Sequence, residues 1–256
     1  MELTAESYML MAMVLAVAAV LQGAAGFAFG LFAVPMLLVI GMMPEQAIPM
    51  VAACAMSQSM LGVWLLRRSV QWKLLAKVLP FALLTLPLGV WVLAQVAALE
   101  GGIIRQIFGC IVLVVLLLQW LWRVQPRDEV HTGWGMLAMA TAGVTTGVAG
   151  MAGPPTAMWV TAYRWSSSQM RATMWAVFAV LTPPNVFFLS QRFGPVVEQS
   201  LWQGAVFVPM VLVATLPGIW LGNRMGMKAM RRVALTTLIS VATYTLVQPI
   251  FWPGLG

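Results

Sequence analysis

The sequence predicts an all-α membrane protein that crosses the bilayer several times. Of its 256 residues, 61% are hydrophobic and only 8% are charged, and the mean hydropathy is +0.91. A soluble globular protein carries roughly 25% charged residues, because its surface faces water. The net charge of +7 rests on too few charged residues to coat a basic nucleic-acid-binding surface, so no nucleic-acid partner is expected.

The charged residues divide the chain into eight stretches that carry no charge. These stretches cover residues 8–41, 47–66, 78–99, 106–122, 132–163, 172–191, 199–223 and 233–256. Six of them suit one helical crossing each, which takes about 20 apolar residues. They are predicted to be helices, since a helix bonds its own backbone polar groups in lipid. Runs such as IVLVVLLL at 111–118 lack the alternating polarity of a membrane barrel strand.

The stretches 8–41 and 132–163 are too long for a single crossing. With 34 and 32 residues, each would form a continuous helix of about 50 Å, whereas the hydrocarbon core is about 30 Å thick. Both are interrupted by small residues, QGAAGFAFG at 22–30 and GVTTGVAGMAGPP at 143–155. Glycine permits a sharp turn and proline breaks a helix, so each stretch is predicted to be a broken or re-entrant helical hairpin.

The chain is predicted to be a duplication. With an offset of 124 residues, Gly23 corresponds to Gly147 and Gly26 to Gly150. The segment LPLGVW at 86–91 also returns as LPGIW at 216–220. Each repeat, 1–125 and 126–256, would then contain one broken element and three transmembrane helices, and the two would form one integrated membrane domain.

The positions of lysine and arginine predict that the two repeats are inverted. If each broken element crossed the membrane once, the 14 basic residues would divide seven to seven between the two sides. If each returns to the side it entered, they divide 12 to 2, with only Arg105 and Arg192 on the sparse side. The second arrangement satisfies the positive-inside rule and puts both termini in the periplasm. It leaves open whether a broken element is a re-entrant hairpin or two short complete crossings.

Inverted repeats with broken helices are typical of secondary transporters, which bind their substrate where the discontinuous helices meet. The N-terminus of a half-helix presents free N–H groups and a positive dipole end, which favour an anion. The residues predicted to bind the anion are Gln22, Gly23, Gly26, Phe27, Thr145, Thr146, Gly147, Gly150, Gly153 and Pro154. The alternative is helix packing, because Gly26 with Gly30 and Gly143 with Gly147 form small-xxx-small motifs.

Four polar residues of the other stretches are predicted to complete the same site. Ser57 and Gln58 lie midway along the second stretch, and Thr182 and Asn185 lie at the equivalent depth of the sixth. Their matching positions favour a shared role in hydrogen bonding to the anion. Hydrogen bonds between helices, or repair of the backbone beside the two prolines at 183 and 184, explain them equally well.

Several kinds of chemistry find no support in the sequence. No Asp, Glu, Lys, Arg or His lies within a predicted span, so a relay of ionisable side chains is not expected there. His131, the only histidine, is predicted to be a solvated loop residue, and no metal or cofactor is expected. The chain also lacks a His-Glu-x-x-His or Gly-x-Ser-x-Gly motif, so an enzyme is not expected.

The two glycine-rich interruptions resemble those of the TauE/SafE family of sulfite and organosulfonate exporters. The second reads TGVAGMAGPP at 146–155, and RAT at 171–173 is similar to the basic-Ala-x-x-Thr segment that follows it in that family. The resemblance covers nearly the whole chain. It implies export, or sometimes uptake, of a small sulfur-containing or carboxylate anion across the bacterial inner membrane.

The sequence therefore predicts a secondary anion transporter that works by alternating access, with a small anion and the lipid bilayer as its partners. An anion channel and a non-transporting membrane scaffold are the alternatives, and a homodimer is left open. The residues do not indicate which anion is carried, in which direction, or with which coupling ion.

Overall fold

A computed structural model describes residues 5–121 and 126–251, and the regular structure in these ranges is helical throughout. The helices are α1 (Ala5–Ala25), α2 (Phe29–Val39), α3 (Pro44–Leu66), α4 (Trp72–Val96), α5 (Gly101–Leu121), α6 (Thr132–Ala149), α7 (Gly153–Val160), α8 (Ser167–Phe193) and α9 (Pro195–Phe251). A short 3-10 turn follows α3. The predicted all-α fold is confirmed.

Five helical segments of the described chain are long and apolar enough to cross a membrane. They are Ala5–Ala25, Pro44–Ser69, Trp72–Val96, Ser167–Phe193 and Pro195–Gly222. Phe29–Val39 and Gly101–Val114 are shorter apolar helices. The chain is thus a multi-pass membrane protein, as the long uncharged stretches predict.

Both overlong stretches are broken at a glycine, as the sequence predicts. The first breaks between α1 and α2, where Gly26 has a φ of +86°, and the second between α6 and α7, where Gly150 has a φ of +66°. Residues with a Cβ rarely adopt this left-handed conformation, so glycine is needed at both turns. At the second turn, the N–H groups of Gly150 and Met151 donate to the carbonyl groups of Thr146 and Thr145, which ends α6.

The second half of each broken element is a half-helix. α2 has 11 residues and α7 has eight, which correspond to lengths of about 16 Å and about 12 Å. Neither length reaches across a hydrocarbon core of about 30 Å. These lengths favour re-entrant half-helices over pairs of complete crossings.

Glycines bring the backbones of two helix pairs into direct contact. A Cβ added to Gly147 on α6 would lie 2.5 Å from the carbonyl oxygen of Leu86 on α4. A Cβ added to Gly23 on α1 would lie 2.6 Å from the carbonyl oxygen of Thr215 on α9. Small residues allow such close approach of membrane helices, and they hold α4 against α6 and α1 against α9.

The order of elements repeats once along the chain. A broken pair (α1 and α2) precedes α3 and α4, and a second broken pair (α6 and α7) precedes α8 and α9. Each pair packs against a long helix of the other series, since α4 contacts α6 and α9 contacts α1. The division at residue 125 and the inverted relation of the repeats stay predictions, and residues 122–125 lie outside the described ranges.

The C-terminal part differs from the expectation of two separate spans. α9 runs without interruption from Pro195 to Phe251, a length of 57 residues or about 86 Å. The segment RMGMKAMRR at 224–232, for which the sequence predicts a loop, is helical. It contains no proline and consists mostly of strong helix formers, so its local preference is for a helix.

Replacing Gly143 by alanine should destabilise the contact between α4 and α6. The added Cβ would overlap the backbone carbonyl oxygen of Ala82, which cannot move aside as a flexible side chain could. Overpacking of this kind costs about 1–3 kcal/mol. The thermal unfolding midpoint in detergent, followed by tryptophan fluorescence, should therefore fall. Gly101→Ala is the matched control, because its Cβ would meet nothing within 4 Å. Equal midpoints for the two variants would contradict the close contact.

Candidate functional site

The two broken elements contact each other at their breaks. A Cβ added to Gly30, at the start of α2, would lie 2.7 Å from the carbonyl oxygen of Gly150. A Cβ added to Gly153, at the start of α7, would lie 3.2 Å from the Cβ of Phe27. Both half-helices therefore begin at one place in the interior of the bundle.

A small cavity lies beside this crossing point. Its volume is about 50 Å³, which is enough for a few water molecules or one small ion. Its walls come from α1, α2, α3, α6, α7, α8 and the two breaks. The lining residues are Gln22, Phe27, Phe29, Gly30, Leu31, Ile48, Val51, Ala52, Ala55, Thr146, Gly150, Met151, Ala152, Gly153, Phe178, Leu181, Thr182 and Asn185.

Gln22 connects the first break to the cavity. Its side-chain Oε1 accepts a hydrogen bond of 3.1 Å from the backbone N–H of Phe29, and so caps the start of α2. This bond fixes the orientation of the amide, with Nε2 as the remaining donor. The residue is only 2% exposed, and Nε2 has no partner among the described residues. A buried amide donor is thus left available to a ligand in the cavity.

Asn185 supplies a second unused amide from the other wall. It is 2% exposed, and the unpartnered buried atom of its amide is the acceptor Oδ1. Its donor Nδ2 also makes no hydrogen bond with a described residue. The hydroxyl groups nearby are already donating along their own helices. Thr182 donates to the carbonyl of Phe178 at 2.7 Å, and Thr146 donates to the carbonyl of Ala142. The side-chain donors that remain for a ligand are therefore the amides of Gln22 and Asn185.

The half-helix N-termini add backbone donors. Within the described ranges, no residue accepts a hydrogen bond from the N–H of Gly30, Leu31 or Gly153. Pro154 and Pro155 have no N–H, so α7 offers fewer donors than its position suggests. The first turns of α2 and α7 also carry the positive ends of the helix dipoles. The half-helices therefore bring backbone donors and the positive ends of their dipoles to the cavity, beside the C-terminal ends of α1 and α6.

Half of the predicted site residues line this cavity. They are Gln22, Phe27, Thr146, Gly150, Gly153, Thr182 and Asn185. They come from distant parts of the chain, and the crossing of the two breaks brings them together.

The other predicted residues lie outside the cavity lining. Gly23 and Gly147 form the helix contacts described above, and Pro154 is buried in the first turn of α7. Gly26 packs against the start of α8, where a Cβ added to it would lie 2.9 Å from Cγ of Arg171. Thr145 donates within α6 to the carbonyl of Thr141 at 3.0 Å.

The polar residues predicted on α3 have structural partners instead. Ser57 donates to the carbonyl of Ala53 on its own helix at 2.9 Å. Gln58 Nε2 donates to the carbonyl of Ala19 on α1 at 2.9 Å and to the hydroxyl of Thr215 on α9 at 2.8 Å. Gln58 thus joins three helices, which is the interhelical alternative that the sequence left open.

Sequence reasoning missed the apolar part of the lining. On α3 it consists of Ile48, Val51, Ala52 and Ala55. On α8 the lining residues have the same spacing and are Phe178, Leu181, Thr182 and Asn185. This spacing marks one face of a helix. Only the polar members of the α8 face carry a signal in the sequence, because apolar residues occur on every face of these helices.

Half-helices that meet beside a cavity inside a helical bundle are typical of multi-pass membrane transporters. A family model described as Sulfite exporter TauE/SafE matches residues 10–245, and the chain belongs to this family. The resemblance seen in the glycine motifs is thereby confirmed. Membership implies a membrane transporter of sulfite or related sulfur anions. No curated protein and no solved structure matches the chain.

Replacing Gln22 by methionine should loosen the start of α2. The substitution keeps the size of the side chain but leaves the buried N–H of Phe29 without its acceptor, at a cost of about 1–3 kcal/mol. Hydrogen exchange of a peptide that contains Phe29 should become faster, and the thermal midpoint should fall. Gln46→Met is the control, because Gln46 accepts from the backbone N–H of Met43 at an exposed helix end. Similar small effects of both substitutions would contradict the capping role of Gln22.

Proposed function

We propose that the protein is a secondary transporter that moves a small sulfur-containing anion, such as sulfite or an organosulfonate, across the bacterial inner membrane by alternating access. The observation that carries the proposal is the cavity at the crossing of the two breaks. Its unused donors are the amides of Gln22 and Asn185 and the backbone N–H groups of the half-helices. Donors without acceptors suit an oxyanion, whose oxygens accept several hydrogen bonds. Export is the direction that the family description supports.

The packing of the breaks supports alternating access. Gly26 of the first break packs against Arg171 and Met174 at the start of α8. Gly150 of the second break packs against Ile48 at the start of α3, with 3.2 Å from an added Cβ. Each break thus packs against a helix from the other half of the chain, the first break against α8 and the second against α3. A shift of α1–α4 against α6–α9 would change both contacts together and open the cavity on one side.

The distribution of charge supports an inverted arrangement of the repeats 1–125 and 126–256. Twelve basic residues would face the cytoplasm, and two would face the periplasm with the N-terminus. The predicted periplasmic C-terminus needs a turn at 224–232, where the structure has the continuous helix α9. The half-helix lengths of α2 and α7 agree with broken elements that return to the side they entered. The helical, multi-pass character of the chain supports the proposed inner-membrane location.

Asn185→Leu should abolish transport without destabilising the protein. Because the amide makes no hydrogen bond with a described residue, leucine removes a buried polar group and breaks no bond. We expect at least a tenfold loss of sulfite or methanesulfonate counterflow in proteoliposomes, with an unchanged or higher thermal midpoint. Saturable counterflow by the unaltered protein would also exclude a channel.

Gln58→Leu is the matched control for this experiment. It removes a buried amide that donates to both Ala19 and Thr215, so it should lower the thermal midpoint. Any loss of transport should then scale with the loss of folded protein. Full transport by the Asn185 variant would exclude the proposed site, and absence of anion flux in the unaltered protein would favour a scaffold.

Reporter fusions should place the N-terminus in the periplasm and the loop after α3 in the cytoplasm. An alkaline phosphatase fused to the N-terminus should be active, since it requires the oxidising periplasm, and a fusion after Arg68 should be inactive. A fusion at the C-terminus should be active if two separate spans follow Pro195, as the sequence predicts, and inactive if α9 continues straight through 224–232. Equal activity of the first two fusions would contradict inversion.

A further inference from the structure

The wall of the cavity carries no charged side chain. Its residues are all described, and each is apolar, glycine, threonine, glutamine or asparagine. The charged and titratable residues of the six surrounding helices lie elsewhere. They are Glu6 and Tyr8 on α1, Glu45 and Cys54 on α3, and Arg171 and Arg192 on α8, while α2, α6 and α7 have none. An anion in the cavity would therefore contact dipoles and no charged side chain, and the buried Arg171 lies behind the wall, against Gly26.

A site of this kind discriminates by the charge of the ligand. The cost of taking an ion out of water grows with the square of its charge, so a dianion costs about four times as much as a monoanion. Its attraction to fixed dipoles grows only in proportion to the charge, by about a factor of two. A lining without a cation therefore penalises the second negative charge much more than the first.

The geometry also limits where a second charge could go. The amides of Gln22 and Asn185 come from different helices, α1 and α8, and most of the other lining residues, such as Ile48 and Leu181, are apolar. The cavity has space for only a few water molecules, which is less than the full hydration shell of an ion in solution. Charge that is not bonded to the amides or to the half-helix N–H groups would face hydrocarbon.

We infer that the transporter carries monoanions and rejects dianions, an inference that rests on the proposed function. Sulfite would travel as hydrogen sulfite and an organosulfonate as its single sulfonate anion, whereas the sulfite dianion and sulfate would be excluded. Each sulfite would take up one proton on the side it enters and release it on the other side. The substrate itself then carries the proton, and no ionisable side chain of the cavity wall takes part.

The test is the pH dependence of uptake into proteoliposomes that contain the full chain. Methanesulfonate stays a monoanion, so its uptake should not change between mildly acidic and alkaline pH. Uptake of sulfite at constant total concentration should fall about tenfold for each pH unit above the pKa of hydrogen sulfite, as the protonated fraction does. Sulfate uptake should stay at background. Protein-free liposomes correct for leakage of neutral sulfur dioxide, and Asn185→Leu corrects for flux outside the site.

Competition on the unaltered protein gives a second measurement. Sulfate at 100-fold excess should leave methanesulfonate uptake unchanged, whereas another short alkanesulfonate should reduce it several-fold. Thr182→Lys would add a cation to the wall, and it should make sulfate an effective competitor. Sulfate uptake equal to that of methanesulfonate, or sulfite uptake that rises with pH, would overturn the charge selectivity and leave the proposed function standing. Absence of protein-dependent flux for all these anions would overturn the proposed function.

Discussion

The structure depends on the rule that backbone polar groups inside a membrane need partners. A continuous helix satisfies this rule by itself, and a broken helix violates it over the turns at the break. Here the violations are placed in the interior of the bundle, where the break near Gly26 touches the break near Gly150. Part of the deficit is met by Gln22, which caps the N–H of Phe29. The part that is not met, at Gly30 and Gly153, leaves backbone donors for the anion that we propose to bind in the cavity.

Different glycines of one motif pack the helices and line the cavity. Gly143 and Gly147 hold α6 against α4, and Gly150 and Gly153, only one helical turn further on, form the break and the cavity wall. Packing therefore explains the first two glycines, while binding at the second two is the proposal. A rigid helix contact directly before the turn would keep the donors of such a site aimed at a ligand.

Features that depend on composition along the chain could be predicted from the sequence. The direction in which a side chain points from its helix could not. The positions of both breaks follow from the length of the uncharged stretches and from Gly26 and Gly150. The role of Gln58 did not follow, because its depth matches the cavity but its side chain points to α1 and α9. The continuity of α9 was missed because the charges at 224–232 indicated a loop, while the same residues favour a helix.

The two halves of the chain contribute different side chains to the cavity, although their helices follow in the same order. α8 contributes Thr182 and Asn185, whereas the corresponding face of α3 contributes only apolar residues such as Val51 and Ala55. Gln22 is the polar contribution of the first broken element, and α7 begins with two prolines that cannot donate. The polar side chains of the cavity therefore come from α1, α6 and α8, whereas α3 adds only apolar surface. The repetition of elements along the chain does not extend to the chemistry of the cavity wall.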